Sequence, residues 1–123
     1  MYINGEWIEK KEKIRVVNPA NGELVNEVNK GTKEDALAAI ESAQAAFPAW
    51  SNTTALERSQ ILEKIAQRIL ERKEELANII TAEMGKPLVN AMYEVDSTSA
   101  YFKWFAEEAR RIYGEHIPSN APN

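Results

Sequence analysis

The sequence predicts a mainly α-helical chain that opens with β-hairpins. Two observations carry this reading. In the first thirty residues, short strand-forming runs alternate with Asn-Gly reversals. From Thr32 onward, apolar residues recur at steps of three and four instead of two. With 123 residues, 44% of them hydrophobic, the chain can build one core, since domains cluster near about 100 to 150 residues.

Tyr2-Ile3 and Trp7-Ile8 flank Asn4-Gly5, a dipeptide whose two residues tolerate the positive φ of a tight hairpin turn. Ile14 to Val17 and Leu24 to Val28 form a second pair, joined by Asn18-Pro19-Ala20-Asn21-Gly22. Pro19 sets one corner there, and Asn21-Gly22 allows the reversal. Isolated two-stranded hairpins are marginal in water, so these strands need an outside surface to pack on.

Thr32 and Asp35 have the spacing of a capping box, with Asp in place of the usual Glu, and Ala36, Ile40, Ala43 and Phe47 follow as an apolar stripe. Pro48 is expected to end this helix. A second capping box, Thr54 with Glu57, opens a helix with the stripe Ile61, Leu62, Ile65, Ala66 and Ile69, its charged face Glu63, Lys64, Arg68, Glu71 and Arg72 turned outward. Leu76, Ile79, Ile80 and Glu83 continue at helical spacing to Gly85, a left-handed cap followed by Pro87. A long last helix is expected from about Leu88 to Tyr113, with Val95, Phe102, Phe105, Ala109 and Ile112 on one side and Gly114 closing it. The elements divide the chain into hairpins over 1–30, helices over 32–114 and a polar, proline-containing loop over 115–123.

Composition removes several function classes. A net charge of -4, with Lys and Arg interleaved with Glu along helices, argues against a nucleic-acid partner. No apolar run approaches the roughly 20 residues of a membrane span, and the start Met1-Tyr2-Ile3-Asn4-Gly5-Glu6-Trp7 lacks the basic and apolar regions of a signal peptide, so a cytoplasmic location is expected. The absence of cysteine excludes disulfides, thiolate metal sites and a cysteine nucleophile within these residues. One histidine, His116, cannot build a multi-histidine metal site and is expected in a solvent-exposed loop; no nucleophile-elbow sequence supports a hydrolase triad. No G-x-G-x-x-G run follows a strand, so no dinucleotide-phosphate turn is visible.

A few polar residues invite a role. Glu83 continues an apolar stripe, and a carboxylate on that side must be paired or coordinated because its desolvation is costly. It either binds a cation or pairs with Lys86 or the helix end. Lys86 otherwise reads as a surface turn lysine, and Glu94, Asp96, Glu107 and Glu108 as a solvated helix face. Trp7, Trp50 and Trp104 are dispersed, which favours core or interface anchors over an aromatic cage.

Several motifs in a fixed order then become specific. Tyr2-Ile3-Asn4-Gly5-Glu6-Trp7, Val17-Asn18-Pro19-Ala20-Asn21-Gly22-Glu23, Phe47-Pro48-Ala49-Trp50-Ser51, Glu57-Arg58, Leu62, Glu83-Met84-Gly85-Lys86-Pro87 and the run from Trp104 to Pro118 resemble the N-terminal portion of the NAD(P)-dependent aldehyde dehydrogenase superfamily. The resemblance covers essentially the whole chain. Trp104-Phe105-Ala106-Glu107-Glu108 followed by Arg111-Ile112-Tyr113-Gly114 is most similar to succinate-semialdehyde dehydrogenases.

The resemblance implies an α/β fold for the complete family enzyme, with a Rossmann-like cofactor domain, a catalytic domain and an oligomerisation hairpin. Residues 1–123 would be the N-terminal portion of the cofactor domain, lacking the Rossmann core and the catalytic domain. It implies that a cysteine thiolate attacks the aldehyde, hydride passes to NAD or NADP, and a glutamate-activated water releases the carboxylate. No catalytic or cofactor-binding residue of that scheme matches a position in this chain, so the chain alone is expected to be inactive and to bind no cofactor. For the complete enzyme the resemblance implies a small-molecule aldehyde substrate and a homo-oligomer, with self-association open to the segment itself. It also implies a monovalent cation held by a backbone carbonyl at Val16 or Val17 and by Glu83, and a substrate-tunnel rim near Ser97 and Tyr101. A free-standing helical interaction module without activity is the alternative from another class, and a ligand-free structural helical bundle is a third.

Overall fold

The computed structural model describes residues 1–118; the part of the expected 115–123 loop beyond residue 118 lies outside the described residues. Strand β1 (Tyr2–Ile3) pairs antiparallel with β2 (Glu6–Trp7) in the register Tyr2 opposite Trp7. The turn between them has φ of 53° at Asn4 and 83° at Gly5, the positive values that made this dipeptide a hairpin signal. Strand β3 (Lys13–Val17) pairs with β4 (Leu24–Asn29) in a separate two-stranded sheet, with a register irregularity between Val16 and Val17. Asn29 ties the two hairpins together. Its Oδ1 accepts from the Lys10 amide at 2.9 Å and from Lys13 Nζ at 2.6 Å, while its Nδ2 donates to the Ile8 carbonyl at 3.0 Å.

Four helices follow: α1 (Lys33–Ser51), α2 (Ala55–Glu71), α3 (Lys73–Met84) and α4 (Leu88–Glu108), with a short 3-10 turn at Ala109–Arg111. Both capping boxes form. The Thr32 and Thr54 hydroxyls accept from the Asp35 and Glu57 amides, and each carboxylate accepts from its threonine's own amide. Gly85 caps α3 with φ of 74°, its amide donating to the Thr81 carbonyl at 3.0 Å.

Two helix ends differ from the sequence expectation. Pro48 does not end α1, which runs one turn further to Ser51. Pro48 has no N–H to offer the Gln44 carbonyl, so it removes a single bond of the ladder, and the carbonyls left open by the helix end find side chains: Asn52 Nδ2 donates to the Pro48 carbonyl at 2.8 Å and Thr53 Oγ1 to the Trp50 carbonyl at 2.7 Å. At the other end, α4 stops at Glu108 instead of near Tyr113. In the 3-10 turn that follows, Arg110 reaches across to α2, where Nε donates to Ser59 Oγ at 2.8 Å and Nη2 to Glu63 Oε1 at 3.0 Å.

The core lies between α4 and the pair α2 and α3, and small residues build it. Ser59 and Ala66 of α2, Ala77 of α3, and Ala91, Val95, Ser99 and Ala106 of α4 are buried. Such a seam lets helix axes come close, toward the short end of the usual 8–10 Å spacing. Ser99 Oγ donates to the Ala66 carbonyl at 2.9 Å, so the one hydroxyl that α4 puts into the seam is satisfied. Ile69, Leu76 and Ile80 of the expected stripes pack on this core, whereas others stand to the side. Ile61 and Ile65 are 40% and 37% exposed, Phe105 and Ile112 are exposed, and α1 buries no residue at all.

Candidate functional site

The structure brings the two proline turns of the chain together. Residues Val16 and Val17 end β3 and lead into Asn18-Pro19, whereas Glu83 lies in the last turn of α3 and leads into Gly85-Lys86-Pro87. Strand β3 touches α3, and the Pro19 ring comes so near Gly85 that a β-carbon there would lie 3.0 Å from Pro19 Cγ. Glycine fits this meeting point without displacing the proline ring and adopts φ of 74° without strain. The turn at Pro19 is held locally: the Asn18 amide donates to the Glu23 carbonyl at 2.8 Å, the Gly22 amide to the Asn18 carbonyl at 2.7 Å, and the Ala20 amide to Asn18 Oδ1 at 2.9 Å.

Within this junction Val16 is half-buried, Val17 is exposed, and Glu83 is exposed. The apolar environment expected for Glu83 is therefore not found. The buried side of α3 is carried by Leu76, Ala77 and Ile80, while Ile79 and Glu83, four residues apart, form a neighbouring edge that nothing among the described residues covers. The pairing of Glu83 with Lys86 does not form either. Lys86 Nζ instead bonds the Glu94 carboxylate on α4, and Lys73 Nζ bonds Asp96 Oδ2 at 2.6 Å. Glu94 and Asp96 thus tie α3 to α4 at its two ends and are not a free solvated face. One turn before Gly85, the buried Thr81 hydroxyl has no hydrogen-bond partner among the described residues.

Ser97 and Tyr101 sit one turn apart on the outer side of α4, both exposed. Tyr101 stacks against Phe105 with ring centroids 4.7 Å apart, and meets Phe102 edge-on at 6.4 Å. Val89 and Tyr93, each 74% exposed, continue the same row toward the start of the helix, and exposed Trp104 continues it toward the end. Helix α4 is therefore apolar on two opposite sides.

An open apolar groove of about 470 Å³ lies where α2 meets the end of α4, lined by Trp50, Ile61, Leu62, Phe105 and Ile112 with Arg58 and Arg111 at its edge. Glu108 beside it is held below the usual carboxylate range by its hydrogen bond with Arg111, and Arg111 is raised in turn by Glu108. His116 lies exposed in the irregular segment after the 3-10 turn. The tryptophans are not core anchors: all three are exposed, and Trp7, 81% exposed, rests on Tyr2 at a centroid distance of 5.2 Å. Among the described residues no three His, Asp or Glu side chains gather into a metal cluster.

Sequence reasoning missed the residues that join the helices. Ser59, Ser99 and Arg110 form the polar ties of the α2–α4 seam. For Ser59 and Ser99 the signal was size: small residues fall at the core-facing positions of both helices, among larger apolar residues that drew the assignment to themselves; Arg110 carried no local signal.

Comparison with known proteins identifies relatives of this arrangement. The family described as the aldehyde dehydrogenase family matches residues 7–123. A glutarate-semialdehyde dehydrogenase of Pseudomonas putida is 43% identical, across 99% of this chain and 26% of its own length. The NADP(+) succinate-semialdehyde dehydrogenase of Escherichia coli is 42% identical, across 96% of this chain and 25% of its own. Among solved structures, betaine aldehyde dehydrogenase of Staphylococcus aureus in complex with NAD+ superposes with a TM-score of 0.94 at 39% identity, covering 98% of this chain and 25% of that one. The chain thus spans about a quarter of the length of the relatives it matches.

Proposed function

Because the chain belongs to the aldehyde dehydrogenase family, we propose that it is a scaffold portion of an NAD(P)-dependent enzyme that oxidises a semialdehyde to a carboxylate. Its residues then form part of the wall of the cofactor-binding domain, hairpins followed by helices that end at Arg111, and pack on a sheet and a catalytic domain that lie outside these 123 residues. These 123 residues hold no cysteine, so the chain alone has no thiolate to attack an aldehyde. The dicarboxylic semialdehyde class rests on the two semialdehyde dehydrogenases above. Use of NADP or NAD rests on the relatives that carry each name. A cytoplasmic location and a homo-oligomeric complete enzyme complete the reading.

The observation that carries the scaffold role is surface area. The chain exposes 9990 Å², against about 6,700 Å² for a compact monomer of its mass. An ordinary protein–protein contact covers about 800 Å² per partner. The excess of about 3,300 Å² is several such contacts, the scale of packing inside a larger fold.

Two site assignments belong to this proposal. Val16 or Val17 supplies a carbonyl, and Glu83 a carboxylate, to a monovalent cation. Support comes from the contact of β3 with α3, from the ladder irregularity between Val16 and Val17, and from an all-oxygen donor set suited to a hard ion. Ser97 and Tyr101 shape the rim of the aldehyde tunnel without taking part in chemistry; their support is their common exposed side of α4.

The test mixes the purified chain with that part of the Pseudomonas putida relative which lies outside the match. Co-elution of the two pieces, with aldehyde-dependent NADH or NADPH formation by the mixture and none by the chain alone, is the expected result. Activity of the chain alone would overturn its assignment as a non-catalytic portion. A compact monomer that unfolds cooperatively and ignores the complementary piece would favour the second reading, a free-standing helical interaction module. That reading has one observation in its favour, the closed small-residue seam between α2, α3 and α4.

A further inference from the structure

We draw no further inference here: the strongest candidate, the apolar groove along α2 where Ile61 and Leu62 face Phe105 and Ile112 at the end of α4, is an unpartnered face, and nothing in the structure shows what covers it.

Discussion

Replacing Gly85 by alanine tests whether the hairpin β3–β4 is docked on the helices as described. Two costs add at this position. An L-residue in the left-handed region, here at φ of 74°, loses about 1 kcal/mol. The new β-carbon would also stand 3.0 Å from Pro19 Cγ, so the proline ring must give by a few tenths of an ångström, at a cost of up to about 1 kcal/mol in this exposed turn, the low end of the range for a packed core. The expected total for Gly85→Ala is about 1 to 2 kcal/mol. Gly22 provides the control, because its φ is 75° but nothing lies within 4 Å of its added β-carbon; Gly22→Ala should lose only the backbone part, about 1 kcal/mol. Urea unfolding followed by circular dichroism measures all variants at low protein concentration. In a Pro19→Ala background, which removes Cγ, the Gly85→Ala penalty should shrink to about that of Gly22→Ala, whereas the Gly22 penalty should stay unchanged. A Gly85→Ala penalty that is the same in both backgrounds refutes the contact, and a penalty within about 0.5 kcal/mol of zero refutes the cap geometry as well.

Three further outcomes follow from particular residues. Val89→Lys and Tyr93→Lys, on the exposed side of α4, should change stability by no more than about 0.5 kcal/mol and lower self-association in light scattering; a large destabilisation would mean that side is already buried. The Asp35 carboxyl is held below its ordinary value by the Lys10 ammonium and then by the Thr32 amide, so its stabilisation is complete above the unfolded value of about 3.9. It is lost as pH falls through the lower folded value; the acid limb of an unfolding titration should flatten in Asp35→Asn, and an unaltered limb would remove Asp35 from the account. If Glu83 ligates a monovalent cation, Glu83→Gln should lower the melting temperature of the reconstituted enzyme in potassium or sodium but not in choline, and an equal drop in all three salts would discard the site.

The parts of the fold that were legible in the sequence are those fixed by neighbours in the chain. Asn4-Gly5 dictates its own hairpin through two positive φ angles, and Thr32 and Thr54 announce their helices because each cap closes within three residues. Gly85 was legible for the same reason. The misread features are decided at a distance. The turn that follows α4 is tied to α2 by Arg110, whose partner Ser59 lies fifty-one residues earlier, and no local pattern records that bond. Pro48 fell outside its rule because the rule describes a helix interior, and Pro48 occupies the last turn. For Glu83, spacing placed the carboxylate on the apolar stripe itself, whereas which edge of α3 meets α4 is decided at a distance and leaves Glu83 exposed.

The deepest misreading concerns size, and it bears directly on function. Periodicity found Ala66 and Val95, which are buried, and Ile69, Leu76 and Ile80, which pack on the core, but the helices also meet through Ala77, Ala91, Ser99 and Ala106, while Ile61, Ile65, Phe105 and Ile112 of the expected stripes stay outside. A helix apolar on opposite sides is suited to the interior of a larger protein, and α4 has both sides: one sealed on α2 and α3 by small residues, the other an open row from Val89 to Trp104. The sealed side fixes how α4 sits on α2 and α3. The open row, with the uncovered stripe of α2 and an α1 that buries nothing, accounts for the excess area in chemical terms, as a set of large side chains positioned for a second layer. On the proposed reading the small residues fix the scaffold and the large ones receive the domain that carries the reaction, which is why scaffold and chemistry can be told apart residue by residue along the same helix.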